Sequence, residues 1–446
     1  MLIGSMRRTA VDQLTAAQAA ARLGVRTETL YAYVSRGLIS RERAAHGSLF
    51  DPLEVERFAR TRRRTTSPSH GGARPAGADG SPLAVIDTDI ALIEDGGLWI
   101  RGVPIDELIA GPGEPPRFDG VVRWLFEHTE LPQPDASPLA STGSDAAGAV
   151  LAGLPPESPA FSRLLAVVAA LAAVDPERYD LRPETVARVT LRLVAGLVDA
   201  LPPQVTAGDG AGASAMPTAA AAPLAARLWS RLTAAPATGD RVRVLDTALV
   251  LLVDHDMAVS TLAARAAASA RAHPYAVVAA GFGALDSALH GAASASVHAL
   301  LSAVRAGADP AAAVATATRL GGAGVPGFGQ PLYPDGDPRG RLLLDALRGT
   351  ADPAADAALQ VADEVVAVVR ARTGLHPTVD LALATIALAW DMPADAGEIV
   401  FAVARSAGWC AHALDEYGRA PLRLRPIGHY VGPDPADPQR PGNIAR

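Results

Sequence analysis

Three short stretches place polar, reactive side chains inside otherwise apolar helical sequence. The first is VDHDMAVSTLAARAAASA, where Asp254 and His255 close the apolar run LDTALVLLV and Ser260, Thr261 and Arg265 follow. The second, GALDSALHGAASASVHALL, holds His290. The third, VPGFGQPLYPDGDPRG at residues 325–340, holds Gln330, Tyr333, Asp337 and Arg339. Farther on come Asp380 in HPTVDLALA, Arg405 in FAVARSAGW and Arg425 in LRPIGHY. Carboxylates and imidazoles are acid–base groups, and planar guanidinium groups bind carboxylates through paired hydrogen bonds. Taken singly, each also has a structural reading. A histidine in an apolar helix is a satisfied core residue, Asp380 after Pro377 and Thr378 is a helix cap, and Arg405 and Arg425 are ion-pair partners.

Missing residue types narrow the chemistry. The chain contains no lysine, which removes Schiff-base chemistry and a P-loop. It has no HExxH or CxxC spacing, so no metal site is expected. Its single cysteine, Cys410, allows no internal disulfide and reads as a small buried hydrophobe.

The elements that must hold these residues are mostly helices. Hydrophobic residues make up 49% of the 446 and aromatics only 4%, so Ala, Leu and Val supply a core of closely packed helices. The length suits two or three domains. The opening residues lack the apolar core of a signal peptide. The longest apolar runs, such as residues 164–174 and 248–253, fall short of the roughly 20 needed to span a bilayer. The reading is a soluble cytoplasmic protein with no membrane contact.

Charge is uneven. Residues 1–75 hold 13 Arg against 6 acidic residues, a net +7, and the rest is −14, for −7 overall. A basic head therefore sits on an acidic body. In the head, Thr15 with Gln18 forms a capping box for one helix. Gly24 makes a turn, Thr27 caps a second helix ending near Gly37, and Asp51-Pro52 starts a third. The expected organisation is a helix-turn-helix domain at 1–66, a Gly/Pro/Ser-rich linker at 67–81 and a body at 82–446. A second such stretch, 202–223, reads as a long surface loop. The body opens with two short alternating runs around Glu94-Asp95-Gly96-Gly97, a small β-hairpin.

The head resembles the DNA-binding half of MerR-type and excisionase-type modules. That resemblance implies DNA as a partner through residues 1–66, with Arg26, Arg36, Arg41 and Arg43 as phosphate contacts. The alternative is a docking domain whose arginines are a solvated face.

The body resembles the citrate synthase family. From the opening short hairpin, whose order also resembles the family's, its stretches run in the family's order over some 350 residues: Asp254, His255, Ser260, Thr261 and Arg265; His290 and Gly291; Phe328, Tyr333, Asp337, Pro338 and Arg339; Asp380; Arg405, Gly408, Trp409, His412 and Glu416; then Arg425 and Tyr430. The departures are Asp256, Ala258 and Val259, then Ala292, Ser294 and Ala295, and above all Gln330, where the family carries a catalytic histidine. The resemblance implies a mainly α fold with all-helical large and small domains, the small one at roughly 292–390, and a small N-terminal β-hairpin. It implies condensation of acetyl-CoA, or another short acyl-CoA, with oxaloacetate to give citrate and CoA. No cofactor or metal takes part, and acyl-CoA is a substrate. By resemblance Asp380 is the base, His290 stabilises the enol or enolate, and Ser260 supports His290. Gln330 takes the ketone-polarising place and suggests a slowed enzyme. His255, Arg339, Arg405 and Arg425 bind oxaloacetate, and Gly327, Phe328 and Gly329 meet CoA. One such arginine comes from the partner subunit, which implies a homodimer. The eroded positions leave two alternatives open: a metabolite-sensing DNA-binding regulator, or a non-catalytic subunit paired with an intact paralogue.

Overall fold

The computed structural model describes residues 13–44, 47–66, 85–110, 116–127, 139–204, 222–287, 293–321 and 324–426. The expected linker at 67–81, His290 and Tyr430 lie outside them, as does most of the expected loop at 202–223.

The head is β1 (Leu14–Thr15), α1 (Ala16–Arg22), α2 (Thr27–Ser35), β2 (Glu42–Ala44), β3 (Gly47–Phe50) and α3 (Pro52–Thr66). The Thr15–Gln18 capping box forms as the sequence predicts. The second helix differs: Arg26 occupies its N-cap without a side-chain bond and Thr27 is already helical. The three strands form a sheet of order β1-β3-β2, with Arg43 opposite Ser48, an arrangement the helix-turn-helix reading did not include. These strands are two to four residues long, too short for the alternation that marks a strand in sequence. Leu14, Leu23, Leu30, Ile39, Phe50 and Val55 make a core of the head's own.

The body opens with the expected hairpin. Strands β4 (Ala91–Glu94) and β5 (Gly97–Ile100) pair around Asp95 and Gly96, both at positive φ (47° and 76°), as a type I′ turn needs; β6 (Val103–Pro104) follows. Fifteen helices come next among the described residues: α4 (Ile105–Ala110), α5 (Phe118–Glu127), α6 (Ser144–Ala152), α7 (Ala160–Val174), α8 (Pro183–Asp199), α9 (Leu224–Leu232), α10 (Gly239–Leu252), α11 (Val259–Ser269), α12 (Pro274–Leu285), α13 (Ala293–Arg305), α14 (Pro310–Leu320), α15 (Pro338–Arg348), α16 (Pro353–Thr373), α17 (Val379–Ala389) and α18 (Ala396–Tyr417). Helices α13 to α17 pack mainly on one another, and α17, α13 and α15 join them to α18 and α10.

Helix α18 runs through the centre and is buried on nearly every side. Its composition allows this. Gly408 passes so close to the end of α10 that an added β-carbon would lie 2.2 Å from the Val253 carbonyl oxygen. Trp409 fills the space beside Gly281 of α12 and meets Phe282 edge-on, with ring centroids 5.4 Å apart. Small residues let the helix backbones approach, and the one large ring fills the gap that they leave.

Gly408→Ala is expected to destabilise the protein by about 1–3 kcal/mol, because backbone has to move to admit the methyl group. Gly283→Ala, at a position in α12 with no atom near the added carbon, is expected to stabilise by about 0.5–1 kcal/mol through helix propensity. Denaturant midpoints of the two variants check both signs.

Candidate active site

The residues singled out in the sequence sit where helix ends converge. Asp254 and His255 follow α10 and are buried. Asp256, at the place of a family glycine, adopts φ 53°, a conformation that glycine takes without strain. The His255 Nε2 lies 3.0 Å from the Tyr333 hydroxyl, which links the Asp254-His255 turn to the loop of residues 325–337.

Glycines shape that loop. Gly327 and Gly329 have φ of 78° and 86°, and a β-carbon on Gly327 would meet Val297 at 2.9 Å. The loop is pinned to the segment before α17. The Gly329 N–H donates to the His376 carbonyl (2.9 Å), the Thr378 N–H donates to the Gly327 carbonyl (2.9 Å), and Phe328 bridges Pro377 in antiparallel fashion. This pinning brings Gln330 and Asp380, fifty residues apart in sequence, onto one bridged backbone unit. The Gln330 Oε1 accepts from the Leu332 N–H at 3.4 Å.

Asp380 lies in the first turn of α17. Thr378 caps that helix, accepting from the Asp380 N–H, and its hydroxyl donates to the Asp380 Oδ2 at 3.0 Å. Asp380 is therefore not the cap its position suggests. Burial pushes its carboxyl above the ordinary aspartate range; the Thr378 hydrogen bond and the Arg339 charge only partly oppose this. A half-buried carboxyl of raised pKa is a stronger base once ionised.

The arginines divide into three cases. Arg339 is buried and held by Asp337 through two parallel bonds, Nε to Oδ1 at 3.0 Å and Nη2 to Oδ2 at 2.8 Å, so most of its charge is answered within the chain. Arg405, in the middle of α18, donates its Nε to the Leu252 carbonyl (2.9 Å) and lies over the Phe401 ring, while its buried Nη2 has no partner. Burial pushes its guanidinium down to about 10 against the pull of Asp254, with Arg339 adding to the fall. A buried cation with an unmatched donor is a place for an anion. Arg425 is exposed beyond the end of α18, in a turn tied to the far end of α11 through the Leu422 N–H and the Ser269 carbonyl. The described residues do not bring it to Arg339 and Arg405.

Behind the site runs a buried chain whose connections the sequence did not disclose. The Asp254 Oδ2 meets the His412 Nε2 at 3.1 Å, and the His412 Nδ1 meets the Arg265 Nη1 at 2.8 Å. Arg265 donates its Nε to Glu416 at 2.8 Å and its Nη2 to Asp415 at 2.5 Å. Arginine only donates, so the His412 Nδ1 accepts and its Nε2–H points at Asp254. Burial alone would raise Asp254; His412 and Arg405 outweigh it and hold the carboxylate ionised. The signal was present in sequence: Asp254, Arg265, His412 and Glu416 all match family positions, and His412 and Glu416 lie at helical spacing. Ser260 is buried on α11. Its partner by resemblance, His290, lies outside the described residues. Gly327 and Phe328 are buried and Gly329 is exposed. Burial pushes the Cys410 thiol up to about 12, consistent with the packing role read from sequence.

A family model described as citrate synthase, C-terminal domain, matches residues 80–427. The chain belongs to the citrate synthase family. The citrate synthase of Deinococcus radiodurans is 28% identical over 273 residues, 60% of this chain and 71% of that protein. The putative citrate synthase 2 of Mycobacterium tuberculosis is 31% identical over 201 residues, 44% of this chain and 53% of that protein, so the match spans about half its length. The solved citrate synthase of Thermoplasma acidophilum, a ternary complex with carboxymethyl coenzyme A and oxaloacetate, superposes with TM-score 0.61 at 23% identity. It covers 79% of this chain and 95% of that one, a likeness that shows the fold. The mainly helical body with its small hairpin is the fold that the sequence predicts. Among the described residues no group of His, Cys, Asp and Glu could hold a metal, and no helix is long and apolar enough to cross a membrane.

The unmatched Arg405 donor generates a binding test. A small dicarboxylate such as malate, at a hundred times its Kd, is expected to stabilise the wild type by about 2.7 kcal/mol. Arg405→Gln, which removes the cation, is expected to show no rise in melting midpoint under the same conditions.

Proposed function

We propose that this protein condenses a short acyl-CoA, acetyl-CoA or propionyl-CoA, with oxaloacetate and hydrolyses the resulting thioester to release CoA. The observation that carries the reading is Arg405. It is a buried guanidinium with an unmatched nitrogen, within electrostatic reach of Arg339 and Tyr333, at the family position for binding a substrate carboxylate. Asp380 takes a proton from the carbon next to the thioester carbonyl, and His290 stabilises the enol or enolate that forms. That carbon then attacks the oxaloacetate ketone as charge moves onto the ketone oxygen; the resulting alkoxide takes a proton from water, and Asp380 gives its proton up to solvent. Gln330 polarises this oxygen through its amide N–H, a role supported by the turn that ties back its Oε1. Water cleaves the thioester, CoA leaves as the thiol, and the acyl group leaves as a free carboxylate. Arg339 and His255 complete the oxaloacetate site, while Gly327, Phe328 and Gly329 approach CoA. Arg425, exposed beyond the end of α18, reaches the site of a second subunit in a homodimer.

Thiol release from acetyl-CoA or propionyl-CoA in the presence of oxaloacetate tests the reading directly. Asp380→Asn is expected to abolish turnover. Wild-type kcat/KM is expected to rise with pH on a limb above the ordinary aspartate range, because the raised carboxyl must ionise before it can accept a proton. Gln330→His is expected to raise kcat while leaving oxaloacetate affinity nearly unchanged, since a charge-assisted bond matters chiefly as the oxyanion develops. A tenfold gain would equal about 1.4 kcal/mol. A wild type with ordinary enzyme turnover and no gain in Gln330→His would show that the neutral amide suffices.

The head supports a second activity, contact with double-stranded DNA. Arg26, Arg36, Arg41 and Arg43 are all exposed, and the β2–β3 hairpin comes after α2 in the manner of a wing. Arg41 also lies over the Tyr31 ring at 5.7 Å. Duplex affinity is expected to fall steeply between 50 and 200 mM salt, roughly tenfold or more, as counterions are released. An absence of any anisotropy change at low salt would leave the head as a docking domain.

A further inference from the structure

The head does not stand apart from the catalytic body. Helix α3 packs on α14 and α16, and its Leu53 belongs to the body's core rather than the head's. Two polar contacts fix this docking at one place, the C-terminal end of α16. The Arg60 Nη1 donates to the Thr373 carbonyl at 3.1 Å. Arg372 pairs with Asp51, whose other oxygen accepts from the Leu53 N–H at the start of α3. Gly374 then ends α16 in the left-handed conformation, φ 68°, and a β-carbon there would lie 2.2 Å from the Arg60 Nη1. The guanidinium occupies the space that the missing side chain leaves. Arg60 also acts on His376, which burial first, then Arg370 and Arg60, hold below the ordinary histidine value.

The segment immediately after Gly374 builds the site. The His376 carbonyl holds Gly329, Pro377 bridges Phe328, Thr378 bonds Gly327 and caps α17, and Asp380 is the proposed base. Leu375 packs beneath Gly329, 3.0 Å from where a β-carbon on that glycine would be. Head side chains thus grip residues 372 to 374, and the backbone bonds that tie the Gln330 loop to the start of α17 begin two residues later.

We propose that Arg60 and Asp51 of the head are positioning residues for the reaction: through Thr373 and Arg372 they hold the 373–380 segment in the register that aligns Asp380 with the Gln330 loop. This rests on the condensation reading for its kinetic consequence, but not for its structural one. A displacement of the base by about 1 Å is enough to slow an oriented reaction by up to about a hundredfold. The substrate-binding groups Arg405 and His255 stand on α18 and after α10, away from the α14 and α16 face on which the head packs.

The test uses the full chain with Arg60→Met, which keeps the length of the side chain and loses the donor, and Arg372→Gln, which breaks the Asp51 pair from the body's side. Arg62→Met is the control, since Arg62 bonds the Leu23 carbonyl and covers Tyr33 within the head. Arg60→Lys is the conservative rescue. Hydrogen exchange of the Gly329 and Thr378 amides is expected to quicken about tenfold in Arg60→Met and Arg372→Gln and to stay at the wild-type rate in Arg62→Met. Turnover is expected to fall about tenfold in the first two with oxaloacetate KM nearly unchanged, and Arg60→Lys is expected to recover most of it. Wild-type exchange at Gly329 and Thr378 in both variants overturns the proposal. So does faster exchange with unchanged kcat. If the wild type releases no thiol from either acyl-CoA, the condensation reading fails by itself, and the exchange rates alone decide whether the head holds the segment.

Discussion

One carboxylate holds the candidate site together. Asp337 accepts four hydrogen bonds: the Arg339 N–H and Nε on Oδ1, and the Arg339 Nη2 and the Val379 N–H on Oδ2. It therefore caps α15, neutralises a buried arginine and ties down the first residue of α17. The two helix starts are so close that a β-carbon on Gly340 would meet the Thr378 carbonyl at 2.8 Å. An ionised carboxylate with this many donors is a strong buried anchor, and without it Arg339 would be a buried charge with nothing to answer it. The positions of Asp380 and the 325–337 loop both depend on it.

Buried charge around the site is arranged mostly as compensated sets. Asp254, His412, Arg265, Asp415 and Glu416 form a continuous chain along α18, and Arg423 closes it at Glu416. Such a chain is costly to desolvate and stable only when its charges are matched. Its function here is to fix the Asp254-His255 turn against α18. Arg405, about two helical turns before His412 on the same helix, is a fully buried cation with a nitrogen left open. The fold pairs Arg265 and Arg339 with carboxylates and leaves the Arg405 Nη2 without a hydrogen-bond partner.

The head and the body share a helix. Its hydrophobic core is separate, yet α3 serves both units: Val55 and Ala59 face the head's core, and Leu53 and Arg60 face the body. A helix shared between two cores couples them mechanically in a way that a linker would not.

Much was legible in the sequence, for local reasons. Composition and helical spacing determine an Ala/Leu-rich helical body, Asp95-Gly96 determines the hairpin turn, and Thr15 with Gln18 determines the first cap. Gln330 in place of a histidine is a fact of sequence alone. Tertiary structure decided the rest, because burial and side-chain direction, which spacing does not record, choose each partner. Arg339 and Arg405 look alike in sequence; only packing shows that Asp337 satisfies one and that the other is left with an open donor. Asp380 reads as a cap until Thr378 is seen to take that place and burial is seen to raise its carboxyl. Arg425 falls outside the constellation because the chain turns away after α18. The contact of Arg60 with Thr373 joins residues 313 apart, and no periodicity or motif records a contact at that separation.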